Sequence, residues 1–107
     1  VDEGLLVVGG SDGVLYGLDA ATGTERWRFQ AEGNFAAAPL IAGDRVFAGS
    51  MDKHLYVLDA HTGALIEKHE VRGRIKSAPA LHRETVLVLA EPKYVYAFRP
   101  HDATILP

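Results

Sequence analysis

The sequence of 107 residues contains no cysteine, a single tryptophan and a single methionine. Without cysteine the chain can form no disulfide, no thiolate zinc site and no thiol nucleophile. No apolar run approaches the ~20 residues of a membrane-spanning helix, and no basic run or stripe marks a nucleic-acid interface. The 14 acidic and 11 basic residues leave a net charge of −3. This composition is typical of a globular chain that neither binds nucleic acid nor inserts into a membrane.

What the sequence does contain is an internal repeat with an offset of 40 residues. The stretch L-Y-G-L-D-A-A-T-G at 15–23 matches L-Y-V-L-D-A-H-T-G at 55–63 in seven of nine positions. A weaker third copy begins at Val95, and Tyr96 is in phase with the tyrosines of the first two copies, Tyr16 and Tyr56. Periods of 20 to 50 residues are the sequence signature of repeat architectures.

One period contains four short β-prone segments joined by tight turns, and no segment has the apolar stripe of a helix. The strands are predicted at 37–41, 46–48, 54–58 and 64–71 in the middle copy, and at 77–81, 86–90 and 94–98 in the third. Asp19 and Asp59 begin equivalent turns, where a carboxylate can accept bonds from backbone N–H groups two or three residues on. Gly23 and Gly63 suit a positive φ in the same turns. The aspartates are therefore interpreted as turn residues rather than as metal ligands.

Continuous apolar runs such as residues 5–8 and 86–90 predict strands that are buried on both faces. Because the tight turns make these strands antiparallel, the cover must be another sheet of the same kind, as in the blades of a propeller. The predicted fold is all-β, a partial β-propeller of about 2.7 four-stranded antiparallel blades. It forms one domain over 1–107. The blades are expected at about 1–32 (lacking its inner strand), 33–72 and 73–107 (degenerate).

Propellers typically close with 4–8 blades, so 107 residues are too few for a typical ring. Open end blades would expose apolar faces and unpaired strand edges, which favour association. We therefore expect either a segment of a larger propeller or copies that self-associate to complete one.

Residues 8–27, which include the run L-D-A-A-T-G-T-E-R-W, resemble the repeat of the quinoprotein-type (PQQ-like) propeller family, whose signature is A-x-D-x-x-T-G-x-x-x-W. The second copy departs from this pattern at Glu67, and the third has Arg99 and Ala103 in place of the Asp and Gly. The resemblance implies that Trp27 packs between adjacent blades, with Gly63 or Gly23 receiving the ring. The residues assigned to the structural repeat are Trp27, Asp19, Gly23, Asp59, Gly63, Tyr16, Tyr56 and Tyr96.

Enzymes of this family bind pyrroloquinoline quinone with calcium, and often carry a disulfide between adjacent cysteines beneath the cofactor. Because the chain has no cysteine and no evident set of calcium ligands, no catalytic, cofactor-binding or metal residues are assigned, and the chain is not expected to be an enzyme. The resemblance favours a scaffold or protein-interaction module. Cofactor-free members of the family include the outer-membrane barrel-assembly lipoprotein and sensor domains of some kinases. The alternative is a fragment of a PQQ-dependent alcohol or sugar dehydrogenase.

The expected partners are other propeller blades or other proteins, and the resemblance favours a bacterial protein in a periplasmic or other extracytoplasmic location. Two groups of residues leave further alternatives open. His61 and His101 share a repeat position and could converge on a metal, although exposed turn residues are the favoured interpretation. Arg72, Arg74 and Lys76 could form a rim patch for an acidic partner, although a solvated loop face is favoured.

Overall fold

The computed structural model describes residues 4–10, 12–92 and 94–98. These ranges contain ten β-strands, and none of their residues lies in a helix that could cross a membrane. The strands are β1 (Leu5–Gly9), β2 (Val14–Asp19), β3 (Glu25–Gln30), β4 (Leu40–Ala42), β5 (Arg45–Gly49), β6 (His54–Asp59), β7 (Leu65–Glu70), β8 (Ala80–His82), β9 (Thr85–Ala90) and β10 (Tyr94–Phe98).

The strands form three antiparallel sheets in the orders β1-β2-β3, β4-β5-β6-β7 and β8-β9-β10. We call these sheets the first, second and third blade. Two of the sheets have a register shift at positions that are 40 residues apart. The β2–β3 register shifts between Gly17 and Leu18, and the β6–β7 register shifts between Val57 and Leu58. The prediction of a partial, all-β propeller is confirmed. Residues 99–107, where the predicted end of the third blade falls, lie outside the described part of the chain.

The first strands of the second and third blades, β4 and β8, are shorter than the sequence predicted. The predicted segments 37–41 and 77–81 were wrong in their bounds, because β4 and β8 each begin only after a proline, Pro39 or Pro79. Proline has no backbone N–H to donate to a ladder, so a strand that begins directly after it loses no ladder hydrogen bond.

The second blade is buried on both faces and separates two apolar clusters. Along β6, Tyr56 and Leu58 belong to the cluster shared with the first blade, whereas Leu55 and Val57 belong to the cluster shared with the third. Successive side chains of a strand point to opposite faces, so a strand between two sheets reads as a continuous apolar run. Two-sided burial, which the sequence predicted from the runs at 5–8 and 86–90 in the other two blades, is observed in this blade.

The same inference was wrong for the outward faces of the first and third blades. Leu6 of β1 is 50% exposed and Val95 of β10 is 67% exposed, and Val8, Leu87 and Leu89 are also exposed. Within the described residues no further sheet covers these faces. The apolar runs in the two outer blades therefore have one covered and one uncovered side.

Candidate functional site

The junction between the first and second blades is built around Trp27. The indole is buried, with 6% of the residue exposed, and its Nε1–H donates to the carbonyl oxygen of Ala60 at 2.9 Å. A Cβ atom on Gly63 would lie 2.6 Å from Cδ2 of the ring, so the absent side chain at that turn makes room for the indole. Gly23, the other candidate from the sequence, has nothing within 4 Å of its Cβ position. Trp27 therefore reaches from β3 to the β6–β7 turn of the next blade.

The junction between the second and third blades uses different side chains at equivalent positions. Glu67 stands where the first blade has Trp27, and its Oε1 lies 3.1 Å from Nε2 of His69. The His69 ring packs against Phe98, with 5.0 Å between ring centroids. Phe98 occupies the position of Leu58 one period earlier and is fully buried. At this junction the third blade therefore supplies aromatic packing surface through Phe98, and the second blade has Glu67 in place of a tryptophan.

The turn aspartates accept the hydrogen bonds expected of an Asx turn. Oδ1 of Asp19 accepts from the N–H groups of Ala21 and Thr22, and Oδ1 of Asp59 accepts in the same way from His61 and Thr62. These backbone donors stabilise the charged form, and they lower the pKa of both carboxyl groups below its usual value.

The repeated tyrosines tie each outer strand to the next blade. The Tyr96 hydroxyl accepts a hydrogen bond from the N–H of Arg72 at 3.0 Å, and the Tyr56 hydroxyl accepts from the N–H of Glu32 at 3.5 Å. Tyr56 also donates to Oδ2 of Asp52. Burial, followed by this bond to the carboxylate, raises the pKa of the Tyr56 hydroxyl. Each of these two hydroxyls therefore fixes the chain segment that leaves the preceding blade.

Charged side chains line a pair of clefts at the second junction. Two adjoining open clefts of about 370 and 540 Å³ occur there, and they share Lys53 and Arg72 in their lining. The first cleft is also lined by Arg74, Lys76 and Glu91, and the second by Glu70. We call this pair of clefts the cationic groove. The sequence drew attention to the run from Arg72 to Lys76, but it missed Lys53, which the pairing of β6 with β7 brings alongside that run.

The histidines do not converge among the described residues, and no group of three or more His, Asp or Glu side chains in that part of the chain could hold a metal ion. His61 is exposed in the β6–β7 turn, His82 is exposed at the end of β8, and His54 lies beside Asp52, with Nδ1 3.4 Å from Oδ1. His101, the proposed counterpart of His61, lies outside the described ranges. The donor set in these ranges does not fit the calcium that accompanies the family's quinone cofactor.

The family model described as outer membrane protein assembly factor BamB matches residues 1–106. Among solved structures, BamB from Moraxella catarrhalis is 27% identical over 99% of this chain, with a TM-score of 0.88. This chain spans 34% of the length of that BamB chain. No curated protein matches the sequence.

Two further structures share the fold at lower identity. The quinohemoprotein alcohol dehydrogenase ADHIIG of Pseudomonas putida HK5 is 20% identical over 98% of this chain, which spans 19% of the enzyme, with a TM-score of 0.86. The computationally designed Ika8 protein is 20% identical over 99% of this chain, which spans 33% of that design, with a TM-score of 0.84.

Proposed function

We propose that this chain, which belongs to the family of the outer membrane protein assembly factor BamB, is part of a non-catalytic propeller that acts as a protein-binding scaffold in outer membrane protein assembly. The observation that carries the proposal is the family match over residues 1–106, together with 27% identity to the BamB structure. The likeness to the alcohol dehydrogenase, at 20% identity, bears on the fold alone. The assembly role is proposed for the whole protein, since the chain spans about a third of that BamB.

The second candidate, part of a PQQ-dependent alcohol or sugar dehydrogenase, is favoured only by the shared blade architecture. Such an enzyme needs oxygen ligands for calcium. The described residues supply no acidic cluster of that kind, and the charged side chains that line the cationic groove are mainly cations. These 107 residues also contain no cysteine, so they do not themselves contribute the adjacent-cysteine disulfide that lies beneath the quinone in such enzymes.

The two candidates are separated by a reconstitution experiment on the full-length protein. Pyrroloquinoline quinone and Ca²⁺ are added, unbound quinone is removed, and quinone absorbance and dye-linked alcohol dehydrogenase activity are measured. The proposal expects neither retained quinone nor activity, while a pull-down recovers outer membrane assembly proteins. Retained quinone with activity would overturn it. A parallel pull-down with rim-loop variants that keep the wild-type melting temperature shows whether the recovery depends on the propeller rim.

A further inference from the structure

The two blade junctions differ in charge at positions that the repeat makes equivalent. Where the second junction carries three cations, the first carries an acid, an amide and a methyl group: the pairs at an offset of 40 are Glu32 and Arg72, Asn34 and Arg74, and Ala36 and Lys76. The residue between them that packs inward stays apolar, as Phe35 in one junction and Ile75 in the other. The blades therefore need the buried residue for packing, but they do not need the three cations.

Lys53 adds a fourth cation in a backbone conformation that does not favour lysine. Its φ is 71°, and the equivalent residue of the first blade is Gly13, with a φ of 82°. Residues other than glycine are strained in this left-handed region, and such strain is concentrated at functional sites. In the second blade, the strained turn residue Lys53 thus places its ammonium group in the cationic groove.

Backbone hydrogen bonds hold the segments that carry these cations in place. The carbonyl oxygen of Lys53 accepts from the N–H of Val71 at 2.9 Å, and that of Arg74 accepts from the N–H of Glu91 at 2.8 Å. The Arg72 guanidinium lies 5.9 Å from the centroid of the Tyr94 ring. Among the described residues, no carboxylate forms an ion pair with any of the four cations. The groove therefore presents unpaired positive charge on an ordered backbone, in a chain whose net charge is −3.

We propose that the cationic groove binds an acidic segment of a partner protein, rich in Asp and Glu. This inference rests on the proposed scaffold function and deepens it by naming the chemistry of the partner. Two adjoining clefts that share Lys53 and Arg72 suit an extended chain better than a single compact ion. Glu70 and Glu91 in the lining can also accept hydrogen bonds from the backbone N–H groups that a peptide brings into the groove.

The test titrates the full-length protein with a fluorescein-labelled peptide of alternating Glu and Gly, and reads fluorescence anisotropy. The proposal expects saturable binding that weakens as salt rises, because exposed charges are screened. Arg72→Glu combined with Lys76→Glu should weaken binding by more than about tenfold, and Lys53→Gly by roughly threefold to fivefold, as for loss of one exposed charge. A peptide of alternating Gln and Gly of the same length should not bind.

Arg83→Gly is the matched control for Lys53→Gly. Arg83 also has a positive φ, 57°, and stands where the second blade has Gly43, but it precedes β9, whereas Glu91 of the groove follows that strand. Both variants should raise the melting temperature by removing a strained residue, whereas only Lys53→Gly should weaken peptide binding. Equal effects of the two variants on the affinity would contradict the proposal.

Two competitors distinguish other sources of negative charge. Inorganic phosphate, or vesicles that contain phosphatidylglycerol, should displace the peptide only at concentrations that act through ionic strength. Displacement by either at lower concentrations would assign the groove to that ligand and overturn the peptide proposal. The scaffold function is tested independently of the groove. If no peptide binds while outer membrane protein levels still depend on the protein, only the assignment of the groove is wrong.

Discussion

Gly17 and Trp27 share one space in the first blade, because a Cβ atom on Gly17 would overlap Cε2 of the indole ring. In the second blade the equivalent pair is Val57 and Glu67. Where no tryptophan lies across the strand, a valine side chain fills the position and is fully buried. The competition for space with Trp27 therefore explains why the first copy of the nine-residue repeat has Gly17 where the second has Val57.

Replacing Trp27 tests this relationship by a double-mutant cycle. Trp27→Ala should lower the free energy of unfolding by about 3–5 kcal/mol, as for truncation of a buried aromatic residue. Gly17→Val alone should lower it by about 1–3 kcal/mol, because the new side chain overlaps the indole. In the Trp27→Ala background the same change should cost much less. Urea denaturation of the four proteins measures the coupling, and additive effects would show that the two positions do not compete for space.

Gly63 and Gly23 form a matched pair for the contact between blades. Both have a positive φ, 75° and 78°, so an alanine at either position is strained by about 1 kcal/mol. Only at Gly63 would the new Cβ also meet the ring of Trp27. Gly63→Ala should therefore destabilise the fold more than Gly23→Ala, by roughly a further 1–3 kcal/mol. Equal losses in thermal or urea unfolding would mean that the indole does not need the Gly63 surface.

The hydroxyl of Tyr56 should contribute more to stability than that of Tyr16. Removing it in Tyr56→Phe leaves the N–H of Glu32 and the carboxylate of Asp52 without this partner, and a loss of about 1–3 kcal/mol is expected. The control Tyr16→Phe removes an exposed bond to Asp12 and should have a smaller effect. Hydrogen exchange at the amide of Glu32 provides a local measurement. It should speed up in Tyr56→Phe, and unchanged exchange would contradict the assignment.

Acid should weaken the fold through the two turn aspartates. The pKa of Asp19 and of Asp59 is lower in the folded chain than the ordinary value near 3.9. The ionised carboxylates therefore contribute stability above about pH 4, and this contribution is lost as the pH falls through the folded-state pKa. The double variant Asp19→Asn, Asp59→Asn should lose less stability between about pH 5 and pH 2 than the wild type. Identical pH profiles in urea unfolding would mean that these turns do not respond to protonation.

The repeat made most of the fold predictable, because the period, the turn glycines and the antiparallel strands are local or nearly local properties of the chain. Which strand faces are covered by another sheet could not be predicted from these local properties. Leu6 and Leu87 look as apolar as Leu55, and only the stacking order of the sheets leaves the first two exposed.

The candidate site was predictable only in part, for a related reason. Arg72, Arg74 and Lys76 are visible as a cluster in the sequence, whereas Lys53 joins them only through contact between neighbouring strands. One signal for Lys53 was present, since the repeat aligns it with Gly13 in a turn that favours glycine. The replacement of a turn glycine by a charged residue in one copy of a repeat is thus informative, because packing alone does not favour it.

The proposed scaffold function is tested by the amount of assembled outer membrane proteins in a strain that lacks the full-length gene. This amount should fall on deletion and recover when the wild-type gene is restored. The gene with Arg72→Glu and Lys76→Glu should restore it less fully, although the protein is folded. Unchanged outer membrane protein levels, together with loss of a dye-linked alcohol dehydrogenase activity in the deletion strain, would contradict the scaffold function.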